Sequence, residues 1–182
     1  MTQGRNAQFF ARLGLLALGL GLAFGSATAF GASGGGESSD APACKHGTVW
    51  DKAKGECVKN GASLGDKYLY TQGRDLALAG RYDEALTALA AVETADSMTL
   101  TMIGYATRKL GNYEQGLAYY AKALALDPNN INTHEYLGEA YAEKGQVDLA
   151  KAELIKVAAV CGTTCEQYRD LSKAIAGTPD ED

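Results

Sequence analysis

Histidine occurs twice and tryptophan once in this 182-residue chain, which also has only three prolines and four phenylalanines. His46 and His134 have no cysteine or histidine partner at a usual ligand spacing, so the sequence offers no metal cluster. No nucleophile–base–acid set and no glycine-rich phosphate loop can be assembled either. The chain is therefore read as non-catalytic and without a cofactor. It also lacks an excess of basic residues. Its formal net charge of -5 makes it a poor candidate for nucleic acid or anionic lipid, which want Lys/Arg patches. The scarcity of phenylalanine and proline, against an abundance of alanine, leucine and glycine, suits closely packed helices better than sheets.

The one long apolar run is at the N-terminus. Met1 to Arg12 is basic and polar, and Leu13 to Gly25 is apolar. Ser26-Ala27-Thr28-Ala29 then supplies the small residues read by a signal peptidase. The run is about 13 residues, short of the roughly 20 needed to span a bilayer, and glycine interrupts it. Residues 1–29 are accordingly expected to be a cleaved signal peptide, and the mature chain to be exported to the periplasm of a Gram-negative cell, with no transmembrane helix. Loss of Arg5 and Arg12 leaves the mature chain more acidic still. Residues 30–43 read as a flexible linker of glycine, serine, alanine and acidic residues, and residues 177–182 as a short acidic tail.

Export places the four cysteines in an oxidising compartment, where disulfides persist. Four cysteines allow three pairings; their positions at opposite ends of the domain favour the local one, Cys44 with Cys57 and Cys161 with Cys165. In the segment 44–58, Thr48-Val49-Trp50 is strand-like, Asp51 to Gly55 turn-like, and Glu56-Cys57-Val58 returns as a second strand. A hairpin this small does not hold itself by burial. Trp50 has two readings: packing on the disulfide or on the first helix, or an exposed platform for a sugar ring, since the segment faintly resembles a fragment of a peritrophin-type chitin-binding module. Cys161-Gly-Thr-Thr-Cys165 reads as a staple between two helices, with Thr163 or Thr164 as N-cap. Its spacing and the absence of a preceding strand disfavour a redox centre.

The remainder repeats itself. Gly80-Arg-Tyr82-Asp-Glu-Ala85-Leu86 returns as Gly111-Asn-Tyr113-Glu-Gln-Gly116-Leu117 and as Gly145-Gln-Val147-Asp-Leu-Ala150-Lys151, at steps of about 31 and 34 residues. Ahead of these lie Leu69-Tyr-Thr-Gln-Gly73, Leu100-Thr-Met-Ile-Gly104 and His134-Glu-Tyr-Leu-Gly138. The pattern predicts helix, tight turn, helix. Gly80, Gly111 and Gly145 suit a left-handed turn after the first helix. Gly73, Gly104 and Gly138 sit inside helices, where glycine costs about 1 kcal/mol against alanine; recurrence at that place predicts close approach of the partner helix, with Ala85 and Ala150 facing it. Leu76, Leu89, Tyr120, Tyr141 and Leu154 are the predicted large core residues. Glu166 to Ala176 is one further amphipathic helix, with Tyr168, Leu171 and Ile175 on one side.

Residues 66 to 164 resemble the tetratricopeptide repeat. Tyr136-Leu137-Gly138-Glu-Ala-Tyr141 is similar to its first-helix signature, and Leu126-Asp127-Pro128-Asn129-Asn130 to its inter-repeat ending. Ser97 stands where proline is common and Gly116 where alanine is usual. The chain as a whole also resembles small exported repeat proteins that share a C-terminal cysteine turn and cap. The resemblance implies an all-α solenoid over 66–176, about three helix pairs closed by a capping helix, preceded by the hairpin. It further implies that the first helices line a concave groove that receives a segment of a partner protein, here one of the cell envelope. Groove positions are then Lys67, Tyr70, Arg74, Thr101, Tyr105, Arg108, Asn132, Glu135, Tyr136 and Glu139, basic in the first two repeats and acidic in the third. Family members that clamp a C-terminal carboxylate use Lys and Asn where this chain has Tyr70 and Arg74, so that role is not implied. The competing reading is an envelope carbohydrate-binding protein using Trp50.

Overall fold

Asn130 shows how the helices are tied together. Its side-chain oxygen accepts the Thr133 amide at 3.1 Å and so caps the helix that follows. Its amide nitrogen donates to Ser97 Oγ at 2.8 Å, and Ser97 Oγ donates in turn to the carbonyl of Ala123 at 2.9 Å. One buried side chain thereby starts a helix and joins it to the two before it.

The structure, a computed structural model, describes residues 41–59 and 64–177; the expected signal peptide, residues 30–40 of the linker and the tail beyond Gly177 lie outside these residues. Among the described residues there are two strands, β1 (Thr48–Asp51) and β2 (Glu56–Lys59), and seven helices. These are α1 (Asp66–Leu78), α2 (Tyr82–Leu89), α3 (Ser97–Lys109), α4 (Tyr113–Leu126), α5 (Ile131–Glu143), α6 (Val147–Cys161) and α7 (Glu166–Ala176). None is long and apolar enough to cross a membrane. The fold is thus all-α with a small hairpin. The helices pack as pairs, α1 on α2, α3 on α4 and α5 on α6. The first helices also touch in a row, α1 to α3 to α5. Helix α7 packs on α5 and α6, so it stands where the first helix of a fourth pair would be.

Each pair turns at a glycine with positive φ: Gly80 at 77°, Gly111 at 93° and Gly145 at 71°. The internal glycines mark the closest approaches. A Cβ on Gly104 would lie 2.8 Å from the Tyr120 ring and 3.0 Å from the Gly116 carbonyl oxygen. A Cβ on Gly116 would lie 2.8 Å from Arg108 Cβ and 2.9 Å from the Gly104 carbonyl oxygen. The Gly116 departure from the family pattern therefore belongs to an α3–α4 contact with room for no side chain on either backbone. The third pair differs from the expectation that Ala150 faces Gly138. The space over Gly138 is filled by Leu171 of α7, 2.6 Å from an added Cβ, and by Glu153. Leu171 is fully buried there, which seats α7 on the end of the row. Leu76, Leu89 and Tyr120 are buried as expected, whereas Tyr141 and Leu154 are half-buried because they lie toward that end.

The hairpin docks on the first pair. β1 and β2 are antiparallel, with Trp50 opposite Cys57, and the sulfurs of Cys44 and Cys57 are at bonding distance, 2.01 Å. Val49 enters the α1–α2 core. The Tyr68 hydroxyl donates to the Trp50 carbonyl at 3.0 Å. Glu84 accepts the Cys44 amide at 2.9 Å, and Arg81 donates to the carbonyls of Ala41 and Pro42 at 2.7 and 3.2 Å. Trp50 is half-buried and borders a narrow space with Gln72, Leu76 and Ala88. At the other end Cys161 and Cys165 are also at bonding distance, 2.10 Å. The N-cap position of α7 is Cys165 itself, with no side-chain cap, so neither Thr163 nor Thr164 takes that role.

These contacts predict that Gly104→Ala lowers unfolding free energy by about 1–3 kcal/mol, through overpacking against Tyr120. Gly177→Ala, where a Cβ meets nothing closer than 3.5 Å, leaves stability unchanged or slightly higher. Urea denaturation of the two variants checks this.

Candidate functional site

The row of first helices lines a groove of about 600 Å³. Helix α1 contributes Tyr70, Arg74 and Leu78, and α3 contributes Met98, Met102 and Tyr105. Helix α5 contributes Asn132, Glu135, Tyr136 and Glu139, and α7 contributes Glu166, Gln167 and Asp170. The residues from α3 and α5 fall at i, i+3, i+4 or i+7, and those from α1 at i, i+4 and i+8, spacings that put side chains on one face.

Seven of the ten sequence-expected groove positions lie here; three do not. Lys67 is exposed on α1 away from the groove lining. Thr101 is 0% exposed. Its hydroxyl donates to the Ser97 carbonyl at 2.7 Å and lies 2.6 Å from Thr133 Oγ1, so it joins α3 to α5 instead of facing solvent. Arg108 is 4% exposed. Its guanidinium pairs with Glu143, lies 3.4 Å from Glu139, and donates from Nε to the Tyr120 hydroxyl at 3.4 Å. The reason is shared: α3 has α1 on one flank, α5 on the other and α4 behind, which leaves only a narrow stripe free. The sequence reading also missed residues that the groove uses. Met98, Met102 and Leu78 are apolar and were assigned no role. Glu166, Gln167 and Asp170 were assigned to a cap, although their i, i+1, i+4 spacing opposite Leu171 marks a second face of α7. Gln167 Nε2 donates to Asn132 Oδ1 at 3.0 Å, which ties α7 to α5 at the groove wall.

The charges are unevenly satisfied. Arg74 is already paired with Asp75, at 3.0 and 2.8 Å through Nε and Nη2. Arg108 is buried against its carboxylates. The basic half expected of the groove is therefore internally neutralised. On the other wall stand Glu135, Glu139, Glu166 and Asp170. Glu135 is 7% exposed and has no hydrogen-bond or ion-pair partner among the described residues. Burial, then the fields of Glu139, Asp170 and Glu166, push its carboxyl up to about 8. Burial likewise raises Glu139, against the opposing pull of Arg108 and Lys109. The Tyr105 ring lies 4.8 Å from that of Tyr136, tilted by 44°, and edge-on at 6.2 Å from that of Tyr82. Burial, with Tyr82 and Glu139 nearby, raises the Tyr105 hydroxyl to about 12.

His134, the other buried titratable group of α5, belongs elsewhere. Its Nδ1 lies 2.6 Å from Glu153 and its Nε2 lies 2.9 Å from the Pro128 carbonyl, on the α6 side. No group of three or more His, Cys, Asp or Glu among the described residues is placed to hold a metal ion.

The sequence model of the TPR repeat family matches residues 104–145, which run from Gly104 inside α3 to the turn at Gly145. The chain carries a tetratricopeptide repeat. Solved structures of PcrH and MamA, themselves tetratricopeptide-repeat proteins, are similar in fold. PcrH in complex with the chaperone binding region of PopB is 23% identical, with a TM-score of 0.50 over 61% of this chain and 92% of that one. PcrH from Pseudomonas aeruginosa is 22% identical, with a TM-score of 0.49 over 62% and 87%. MamA MSR-1 is 30% identical, with a TM-score of 0.48 over 61% of this chain. The chain spans 66% of the length of that MamA chain. No curated protein sequence matches the chain. The matched repeat contains α4 and α5 whole and the Gly104 approach, and α5 is the helix that supplies four residues to the groove.

A folded-state pKa raised above the unfolded value disfavours folding increasingly as pH rises between the two. For Glu135 that window runs from the ordinary carboxylate range to about 8. Glu135→Gln should therefore stabilise the chain by on the order of 4 kcal/mol at pH 8 and by about 1 kcal/mol or less at pH 5. Thermal melts of the two proteins across this range give the comparison; a gain independent of pH would contradict the assignment.

Proposed function

We propose that the chain is an exported, non-catalytic interaction module whose groove holds a peptide segment of another envelope protein. The observation that carries this reading is the lining of the groove. Tyr70, Tyr105 and Tyr136 stand beside Met98 and Met102 in an unfilled depression along four helices. Tyrosine supplies large, rigid contact area at small entropic cost and is enriched at binding hot spots. Methionine adapts to varied apolar surfaces. The PcrH structure contains the chaperone binding region of PopB and shares the fold, which lends the reading a precedent.

Export is supported by the basic start, the short apolar run and the small residues Ser26 to Ala29. Two cysteine pairs at bonding distance, with no free cysteine, fit an oxidising compartment. The groove is short, so a bound segment would be held with affinity of roughly micromolar order.

The test uses a photo-crosslinking residue placed at Arg74, on the groove, or at Ile155, which is 70% exposed on α6. Irradiation in the cell should link the Arg74-labelled chain to a defined segment of one partner and leave the Ile155-labelled chain unlinked to it. The synthetic segment should then bind the purified chain with micromolar Kd. Linking from Ile155 alone would place the interaction on another face and overturn the proposal.

A further inference from the structure

We infer that the α5–α7 wall of the groove is built to receive one lysine or arginine side chain of the bound peptide, with Glu135 as its direct partner. The inference rests on the groove reading above and specifies the chemistry of the occupant.

Four buried charged side chains are found among the described residues: Asp51, Arg108, Glu135 and Glu153. Asp51 pairs with Lys54 at 3.4 Å, and Arg108 with Glu139 and Glu143. Glu153 pairs with Lys156 at 2.8 Å and contacts His134 at 2.6 Å. Glu135 alone of these has no partner, and it lines the groove. Its side chain is buried, and its carboxylate oxygens, which are not sealed from solvent, open onto the groove. A carboxylate so poorly hydrated and left without a partner is costly to ionise, so the position calls for a cation that the chain does not supply. The surroundings repeat the demand. Glu139 lies one turn along α5, and Glu166 and Asp170 face it from α7. Arg74, the one cation lining the groove, is committed to Asp75.

The geometry also selects the kind of cation. No three of these carboxylates are placed to hold a metal ion. Methionine and tyrosine side chains share the groove with them. A lysine or arginine has an aliphatic stem to lie along Met98 and Met102, and a charged head that tolerates the faces of Tyr105 and Tyr136. Only such a side chain satisfies the apolar floor and the acidic wall together.

Proton release accompanies such binding. The titratable and charged groups that share the groove with Glu135 are Arg74 and Tyr70 from α1, Tyr105 from α3, Tyr136 and Glu139 from α5, and Glu166 and Asp170 from α7, while Arg108 of α3, outside the lining, joins Glu139 to Glu143. Burial holds Tyr70, Tyr105 and Tyr136 above their ordinary range, so they stay neutral near pH 8. Glu135 gives up its proton when the cation arrives, and affinity rises with pH up to about 8.

A displayed library of random 12-residue peptides, panned on the purified exported chain, tests this. The selected peptides should share a lysine or arginine. Replacing that residue by norleucine should weaken binding by about tenfold or more. Glu135→Gln, a variant expected to fold at least as well, should weaken the basic peptide by a similar factor and leave its norleucine counterpart unchanged. Between pH 7 and pH 9 the wild-type affinity should rise by about tenfold, and that rise should vanish in Glu135→Gln. Peptides that lose binding on Met98→Ala and Met102→Ala, but carry no basic residue and ignore Glu135→Gln, would overturn the inference and leave the groove reading standing. Peptides indifferent to the methionine variants as well, or no selected peptide at all, would overturn both.

Discussion

Gly104 and Gly116 bring the backbones of α3 and α4 so close that a methyl group on either would collide with its neighbour. Everything at the groove depends on that approach. Tyr120 lies fully buried over Gly104, and its hydroxyl meets Arg108. Arg108, laid against Gly116, then reaches Glu139 and Glu143 on the next pair. A packing constraint inside one helix pair is thereby passed, through one arginine, to the helix that carries the acidic wall. The price of the close contact is two glycines in helix interiors, each costing about 1 kcal/mol of propensity, and the buried tyrosine and arginine offset it.

A second set of ties runs between the first helices. Ser97, Asn130, Thr101 and Thr133 are all buried and mutually hydrogen-bonded, so α3 and α5 are held in one register by satisfied polar groups. Apolar packing alone would tolerate sliding; a hydroxyl pair at 2.6 Å does not. The ends of the row are closed by different means. The hairpin inserts Val49 at the α1–α2 end, and α7 inserts Leu171 at the α5–α6 end. Helix α7 does more than close the stack, because its other face adds Glu166 and Asp170 to the groove.

Much of this was legible in the sequence because it is periodic. The recurrent glycines at the turns and inside the helices, the strand–turn–strand segment and the two local cysteine pairs are short-range patterns. The resemblance to the tetratricopeptide repeat implied a groove along the first helices, and Tyr70, Arg74, Tyr105, Asn132, Glu135, Tyr136 and Glu139 do line the depression there. It failed for Thr101 and Arg108, whose partners Thr133 and Glu143 lie more than 30 residues away. A periodic pattern locates a face; it does not tell how many neighbours crowd that face. It failed for Ala150 for the converse reason, since only the packing of α7 reveals that Leu171 covers Gly138. Nor could sequence show that Arg74 is spent on its neighbour Asp75, which turns an apparently divided groove into an acidic one.

The chemistry of the groove therefore turns on Glu135, a largely buried side chain with no partner among the described residues, whose carboxyl stands between the acidic wall and the tyrosines and methionines of the groove. The most direct measurement is an NMR titration of its side-chain carboxyl carbon in the free protein, assigned by loss of the signal in Glu135→Gln. The account predicts a midpoint near 8. A midpoint in the ordinary range of about 4 to 5 would show that the carboxylate is solvated or already paired, and would contradict it.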